Sequence, residues 1–207
     1  MASSNTEIAN LAIAHLGNGK EIANLETENS AEARAVRRFY NTARQATLHD
    51  FAWPFATQYA NLALVSSVGD SGHPTDQYTY SYRYPSGCLM LRRIISTTRN
   101  DNRQTRIEYK IAQDSSGQLI LTDECDAKVE FTTLIEDESR YSADFVLALS
   151  LRIASYVAPQ LTKGDPFKLG ERAMSMYLLQ ISQAQAVAAN EQQPAEDAEA
   201  EQIRARY

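Results

Sequence analysis

The first candidate for chemistry is a glycine-rich segment that holds a serine and a histidine. The segment 69–72 reads Gly-Asp-Ser-Gly, and His73 and Pro74 follow it. A nucleophilic Ser71 would need a histidine base held by a buried aspartate, together with an oxyanion hole. The same residue types are typical of an exposed turn. Because a short motif without its structural context is usually coincidental, we interpret the segment as a turn. A serine hydrolase using Ser71 is the minor alternative.

Acidic residues crowd the segment 123–126, which also contains Cys125. Successive residues of a strand point to opposite faces, so these side chains do not converge on one ion. The histidines at positions 15, 49 and 73 lack metal-ligand spacing, and the sequence has no glycine-rich phosphate loop with its lysine. The sequence therefore predicts no catalytic residue, no metal and no cofactor.

Four arginines lie on a segment that has helical spacing. They are Arg34, Arg37, Arg38 and Arg44. The net charge of −6 argues against a nucleic-acid surface. Glu32 has only Ala35 and Val36 at the positions where an ion-pair partner on the same helix would lie. The arginine face is therefore either solvated or in contact with a neighbouring subunit, and Arg34, Arg37 and Arg38 are candidate interface residues.

Tyrosines alternate with Thr, Ser and Arg between Gln77 and Tyr84, which predicts a strand with one aromatic face. Such a face suits a sheet packed on helices. It equally suits a subunit interface, because tyrosine is enriched at protein contacts. Tyr78 and Tyr80 are therefore two further candidate interface residues.

Capping signals place helices in the first part of the chain. The first helix is predicted from about Thr6 to Leu16, and a second begins at the polar cap Asn29. Pro54 pushes Trp53 out of the helical region and should end that second helix. Trp53 is the only tryptophan, and we predict that it plugs the core together with Phe55.

Alternating residues in the middle third predict roughly four or five strands, with a hairpin turn at 114–117. Two more helices follow, the first capped by Ser142 and the second starting at Asp165 and Pro166. The expected fold class is α+β, with an antiparallel helical bundle formed by the N- and C-terminal helices and an inserted small antiparallel β region.

The predicted domain boundaries follow from this order of elements. The bundle comprises residues 1–65 and 142–191, and the inserted β region spans 66–141. The segment 192–207 is acidic and then basic, and it has no apolar stripe able to fold alone, so it is flexible or ordered by a partner.

Composition sets further bounds. The 207 residues are 43% hydrophobic and 22% charged, which is enough for a real core. The N-terminus has neither the positive region nor the apolar region of a secretion signal, and no apolar run is long enough to cross a bilayer. Cys88 and Cys125 do not make a disulfide framework, and two buried thiols in a reducing cytoplasm are expected.

Three groups of residues, in this order along the chain, carry a resemblance to a known family. The first group is Ile8, Leu16, Gly17, Ile22, Leu25, Ala33, Phe39, Tyr40, Ala43, Arg44, Leu48, Trp53, Pro54, Phe55, Ala56 and Leu62. The second is Tyr82, Arg83, Tyr84, Pro85, Ser86, Gly87, Cys88 and Leu89, and the third is Phe145, Ala148, Leu151, Ala154, Leu161, Thr162 and Tyr177. Together they resemble the head-to-tail adaptor family of tailed bacteriophages over most of residues 7–191. That family usually has Trp, one residue and Phe-Ala, and here the intervening residue is Pro54.

The resemblance implies a structural virion protein rather than an enzyme. Members of the family act as wedges in a dodecameric ring between the portal protein and the tail nozzle, and DNA passes through the ring. The implied partners are further copies of the chain, the portal, a tail protein and DNA bound without sequence specificity, with no membrane and no cofactor. The implied location is the neck of the virion, after assembly in the host cytoplasm.

Two features of the sequence agree with this role. A closed ring uses heterologous interfaces, so a subunit needs two unlike but complementary surfaces. A negative subunit also suits a conduit, because the duplex must slide rather than be held. The candidate portal contact is the end of the tail, namely Gln202, Ile203, Arg204, Arg206 and Tyr207. Another neck or tail-completion protein, such as a stopper or terminator, is the alternative within the same class.

Overall fold

The computed structural model describes residues 4–95, 107–162 and 165–191. The chain divides into two compact units. The helical unit comprises the described residues of 1–57 and 132–191. The β unit comprises the described residues of 58–131. Each unit has its own buried apolar residues.

Four α-helices are found among the described residues. They are α1 (Asn5–His15), α2 (Ala31–Asp50), α3 (Ala143–Leu161) and α4 (Pro166–Glu191). Helix α3 is central, because α1, α2 and α4 all pack against it. Its buried face includes Phe145, Leu149, Ile153 and Val157, which recur at helical spacing and are all 0% exposed.

Serine side chains fix where three of the helices begin. Ser4, Ser30 and Ser142 accept hydrogen bonds from the backbone amides of the third residue after each of them. Each bond satisfies one of the amides that has no partner within the helix. The cap predicted at Asn29 is therefore one residue early. The carboxylate of Glu32 pairs with Lys20 at 3.0 Å.

Helix α2 ends as the Trp-Pro pair predicts, at Asp50. Trp53 has extended backbone angles and is 1% exposed. Its indole Nε1–H donates to the carbonyl of Thr47 at 2.8 Å. That carbonyl is one of the last four of the helix and has no partner within it. The same side chain therefore fills the core and satisfies the end of α2.

The connector between α1 and α2 is held by polar side chains from both helices. Asn10 binds both backbone groups of Ile22, accepting from the amide at 2.8 Å and donating to the carbonyl at 3.0 Å. Arg37 donates to the Leu25 carbonyl at 2.9 and 2.6 Å and to the Glu28 carbonyl at 2.6 Å. Ile22 and Leu25 are buried at 2% and 1% exposure. Arg37 therefore fixes the connector onto α2.

Arg37→Met is expected to lower the free energy of unfolding by about 2 kcal/mol, because hydrogen bonds from a charged donor contribute roughly 1.5–3 kcal/mol. Arg38→Met is the matched control, since Arg38 is exposed on the same helix and should change stability by less than about 0.5 kcal/mol. Urea unfolding followed by circular dichroism measures both. Equal effects of the two substitutions would contradict the role of Arg37.

Seven strands lie in the described residues. They are β1 (Thr57–Asn61), β2 (Leu64–Ser67), β3 (Tyr80–Arg83), β4 (Cys88–Ile95), β5 (Tyr109–Asp114), β6 (Gly117–Thr122) and β7 (Lys128–Thr133). One sheet has the order β1-β7-β4 and the other β2-β3-β6-β5, and both are antiparallel. The predicted hairpin is confirmed, because Asp114 pairs with Gly117. Gly117 has a φ of +132°, which favours glycine there.

The core of the β unit contains residues of both sheets. Its buried members are Tyr82, Leu91, Ile94, Ile120, Ala127, Val129 and Phe131. Tyr82 is 1% exposed, and its hydroxyl donates to the Glu124 carbonyl at 2.9 Å. The aromatic strand thus supplies a buried side chain whose polar end is satisfied.

The expected fold, a helical bundle with a small inserted β region, is wrong. The centre of the chain is β-rich, with seven strands in two antiparallel sheets. The strands not counted among the predicted four or five are β1 and β2, which are outer strands of their sheets. All of their residues are exposed or half-buried, so they lack the apolar alternation that marks a half-buried strand.

Candidate functional site

The arginine face of α2 divides into three parts. Arg34 and Arg38 are exposed, and neither has a hydrogen-bond or ion-pair partner among the described residues. Arg37 is turned onto the connector. Arg44 is 6% exposed and pairs with Glu136 at 2.8 Å. With respect to the described part of the chain, Arg34 and Arg38 therefore remain as the free cations on this face.

The two candidate tyrosines are half-buried side chains of the β unit. Tyr80 packs against the core of that unit, and its ring centroid lies 6.1 Å from that of Tyr82. Tyr84 packs against the same core. The aromatic face is therefore used largely within the unit. The carbonyl of Tyr78 lies 2.8 Å from Nε2 of His73.

His73 links the two ends of the loop between β2 and β3. Its Nδ1 lies 2.9 Å from the Ser66 hydroxyl, and its Nε2 lies 2.8 Å from the Tyr78 carbonyl. Ser66 also contacts Ser81 at 2.7 Å. Ser71 is exposed and is not hydrogen-bonded to His73. The histidine therefore acts here as a link within the loop, and among the described residues no side chain is hydrogen-bonded to Ser71 as a base would be.

His73→Ala is expected to speed hydrogen exchange of the loop amides, such as Val68, by about tenfold. Val68 donates to the Thr79 carbonyl at 2.8 Å, and losing the histidine contacts removes about 1–1.5 kcal/mol that holds the two ends together. Ser71→Ala is the matched control and should leave exchange unchanged. Unaltered exchange in the His73 variant would show that the link contributes nothing to the loop.

Helix α4 presents large apolar side chains to solvent, which the sequence interpretation missed. They are Phe167, Met176, Leu178, Leu179 and Val187, at 71%, 45%, 58%, 61% and 48% exposure. The buried residues are Ala173, Tyr177, Gln180, Ile181 and Ala184, whose helical spacing was the available signal.

A polar cluster joins three helices at one point. The guanidinium of Arg152 on α3 forms an ion pair with Asp50 at the end of α2. The Tyr177 hydroxyl on α4 donates to Asp50 at 2.7 Å, and the guanidinium carbon lies 4.9 Å from the Tyr177 ring centroid. Arg152 also donates to the Tyr156 hydroxyl at 3.0 Å.

This cluster explains two pKa shifts. Burial alone would lower the pKa of Arg152, but its hydrogen bonds to Tyr156 and Asp50 outweigh that effect and raise it. Burial, with the Asp50 carboxylate nearby, raises the pKa of Tyr177. Arg152 therefore stays protonated and Tyr177 stays a neutral donor. No sequence motif marks the three residues, because they come from separate helices.

A cavity of about 230 Å³ lies at the C-terminal end of α4. Its lining residues are Phe51, Trp53, Pro54, Phe55, Ser142, Asp144, Ala184, Val187, Ala188 and Glu191. The aromatic rings form a packed group, in which the centroids of Trp53 and Phe145 are 5.1 Å apart and nearly perpendicular. Phe55, predicted as a core plug with Trp53, is half-buried and contributes to the wall of this cavity.

The cysteines, the potential metal ligands and the candidate portal-contact residues were also considered in the sequence. Cys88 and Cys125 are free thiols, but neither is buried as predicted, because Cys88 is half-buried and Cys125 is exposed. No group of three potential metal ligands occurs in the described ranges. Among the helices of the described chain, none is long and apolar enough to cross a membrane. The five candidate portal-contact residues between Gln202 and Tyr207 lie outside the described residues.

Neither the family models nor the curated proteins match this chain.

Proposed function

We propose that this chain is a structural virion protein, a head-to-tail adaptor that forms a ring joining the portal to the tail and lets DNA pass. The proposal rests on the resemblance to that family, which three groups of residues carry by their types and by their order along the chain. The observation from the structure that supports it best is the pair of unlike surfaces on the helical unit. One is the cationic pair Arg34 and Arg38 on α2, and the other is the exposed apolar residues of α4.

These two surfaces suit heterologous contacts between copies. Helix α4 exposes apolar side chains on both sides of its buried stripe, and a partner that covered this helix would bury them. Exposed arginines are common in protein interfaces, where they form ion pairs and stack on aromatic rings. Contacts that join one surface of a copy to the other surface of the next copy close into a ring when the rotation fits.

The test uses the purified chain alone and mixed with the portal protein of its own virion, imaged by negative-stain microscopy and weighed by mass photometry. We expect rings in the mixture, with or without rings of the chain alone, because a portal can act as a template. The double variant Arg34→Glu/Arg38→Glu should reduce ring yield at least tenfold.

The control double variant is Lys110→Glu/Lys128→Glu, which makes the same charge change at two exposed lysines of the β unit. It should leave ring yield unchanged. A wild-type chain that stays monomeric and does not bind the portal would overturn the proposal. An equal loss of rings in both double variants would mean that only net charge matters.

A further inference from the structure

The cavity at the end of α4 combines aromatic walls with carboxylates. Phe51, Trp53 and Phe55 supply the rings, and Asp144 and Glu191 supply the acidic groups. Its volume of about 230 Å³ is below the roughly 300–1,000 Å³ of small-molecule pockets. A protein side chain therefore suits this cavity better than a small molecule does.

The acidic groups of this cavity retain unused hydrogen-bonding capacity. Asp144 is half-buried and accepts one hydrogen bond on its Oδ1 atom, from Gln180 at 3.1 Å. Its Oδ2 atom and the carboxylate of Glu191 have no hydrogen-bond or ion-pair partner in the part of the chain that the structure describes. A guanidinium group fits such a setting, because it stacks on aromatic faces and donates to carboxylates. The cavity therefore favours an arginine side chain.

The helical unit also carries two arginines that have no partner in the described ranges. Arg34 and Arg38 are exposed and lie one turn apart on one face of α2. The cavity lies at the other end of that helix, because its wall begins at Phe51, directly after Asp50. From Arg38 to Asp50 the helix extends roughly 18 Å, at about 1.5 Å per residue. This distance exceeds the length of an arginine side chain, so neither arginine reaches the cavity of its own copy.

We propose that the arginine pair of one copy docks on this cavity of the next copy, with a guanidinium group against the aromatic wall and between Asp144 and Glu191. The proposal rests on the adaptor function proposed above and names a contact within its ring. It joins the cationic surface of α2 to the C-terminal end of the apolar surface of α4, because Val187 is 48% exposed and lines the cavity. Two unlike surfaces joined in this way form a heterologous contact, which repeats from copy to copy.

Trp53 provides a single-site probe of this contact, because it is the only tryptophan and lines the cavity. Its indole N–H gives one signal in a proton–nitrogen correlation spectrum. The labelled chain is Arg34→Glu/Arg38→Glu, which keeps its cavity but has lost the arginines that would fill the cavity of another copy. Added unlabelled wild-type chain should move the indole signal progressively until the cavity is saturated.

Two control titrations test whether the arginines are the groups that enter the cavity. Unlabelled Arg34→Glu/Arg38→Glu should leave the indole signal in place. Unlabelled Lys110→Glu/Lys128→Glu makes the same charge change in the β unit and should move the signal as the wild-type chain does. Each variant is used only if its circular dichroism spectrum matches that of the wild type.

A further change to the labelled chain tests the carboxylates. Adding Asp144→Asn/Glu191→Gln should weaken the binding of the wild-type chain at least about tenfold, because hydrogen bonds between charged groups are lost. Glu191→Gln alone is the second variant, since Glu191 is the exposed last residue of α4 and its substitution leaves the core intact. It should weaken binding in the same direction by a smaller factor.

An indole signal that stays in place with the wild-type chain, or that moves equally with the arginine variant, would overturn the proposal. Undiminished binding to the carboxylate variants would overturn it as well. The titration contains no portal, so it is independent of the adaptor test. Rings with the portal but no indole response would leave the adaptor function standing and remove this contact. An indole response in a chain that does not bind the portal would do the reverse.

Discussion

Replacing Trp53 with alanine is expected to lower the free energy of unfolding by about 3–5 kcal/mol, the usual cost of deleting a large buried aromatic side chain. Trp53 is 1% exposed, and its ring meets Phe51 and Phe145 edge to face at centroid distances of 5.0 and 5.1 Å. The substitution leaves a cavity among these rings and removes the donor to the Thr47 carbonyl.

Trp53→Phe separates the two contributions. It keeps a ring in the aromatic group but removes the indole N–H, so the buried Thr47 carbonyl loses its partner, at a cost of about 1–3 kcal/mol. Phe167→Ala is the matched control, because Phe167 is an aromatic residue of the same unit that is 71% exposed. Its effect should be under about 0.5 kcal/mol.

The measurement is denaturant unfolding followed by far-ultraviolet circular dichroism, since the variants lose the only fluorescent tryptophan. A Trp53→Ala variant as stable as Phe167→Ala would contradict the role of Trp53 as the centre of the aromatic group.

Removing the charge of Asp50 is expected to have the second-largest effect. Asp50→Asn leaves the Arg152 guanidinium, whose side chain is 11% exposed, without its carboxylate. Breaking a buried pair in this way costs roughly 3–5 kcal/mol. We expect about 2–3 kcal/mol, because Asp50 is 37% exposed and water replaces part of the interaction.

A double variant tests whether the two groups act together. Arg152→Met/Asp50→Asn should be less destabilised than the sum of the two single variants, because no unpaired buried charge then remains. Lys168→Met is the control, since Lys168 pairs with Asp165 at 3.1 Å but is 82% exposed, and such pairs contribute about 0–1 kcal/mol. Strict additivity in the double variant would show that Arg152 and Asp50 do not interact.

The surfaces that carry the functional proposal were only partly predictable. The helical spacing correctly placed arginines along one helix, but it did not distinguish Arg37 from Arg38. Arg37 is drawn onto the connector because the Leu25 and Glu28 carbonyls face it. This difference between Arg37 and Arg38 depends on how the connector between α1 and α2 folds back across α2. The residues next to each arginine in the sequence do not reveal that path.

Local chemistry is what the sequence by itself determined. The serine caps of α1 and α3, the end of α2 near Trp53 and Pro54, and the hairpin at 114–117 all depend on groups within a few residues of one another. Tertiary structure alone decided the two-sheet β unit, the cluster of Asp50, Arg152 and Tyr177, and the cavity at the end of α4. In these, the partners are separated by tens of residues, for example Tyr82 and Ile120 across β3 and β6. A strand's own propensity is compatible with several neighbouring strands. The packing of the whole unit therefore decides which strands pair.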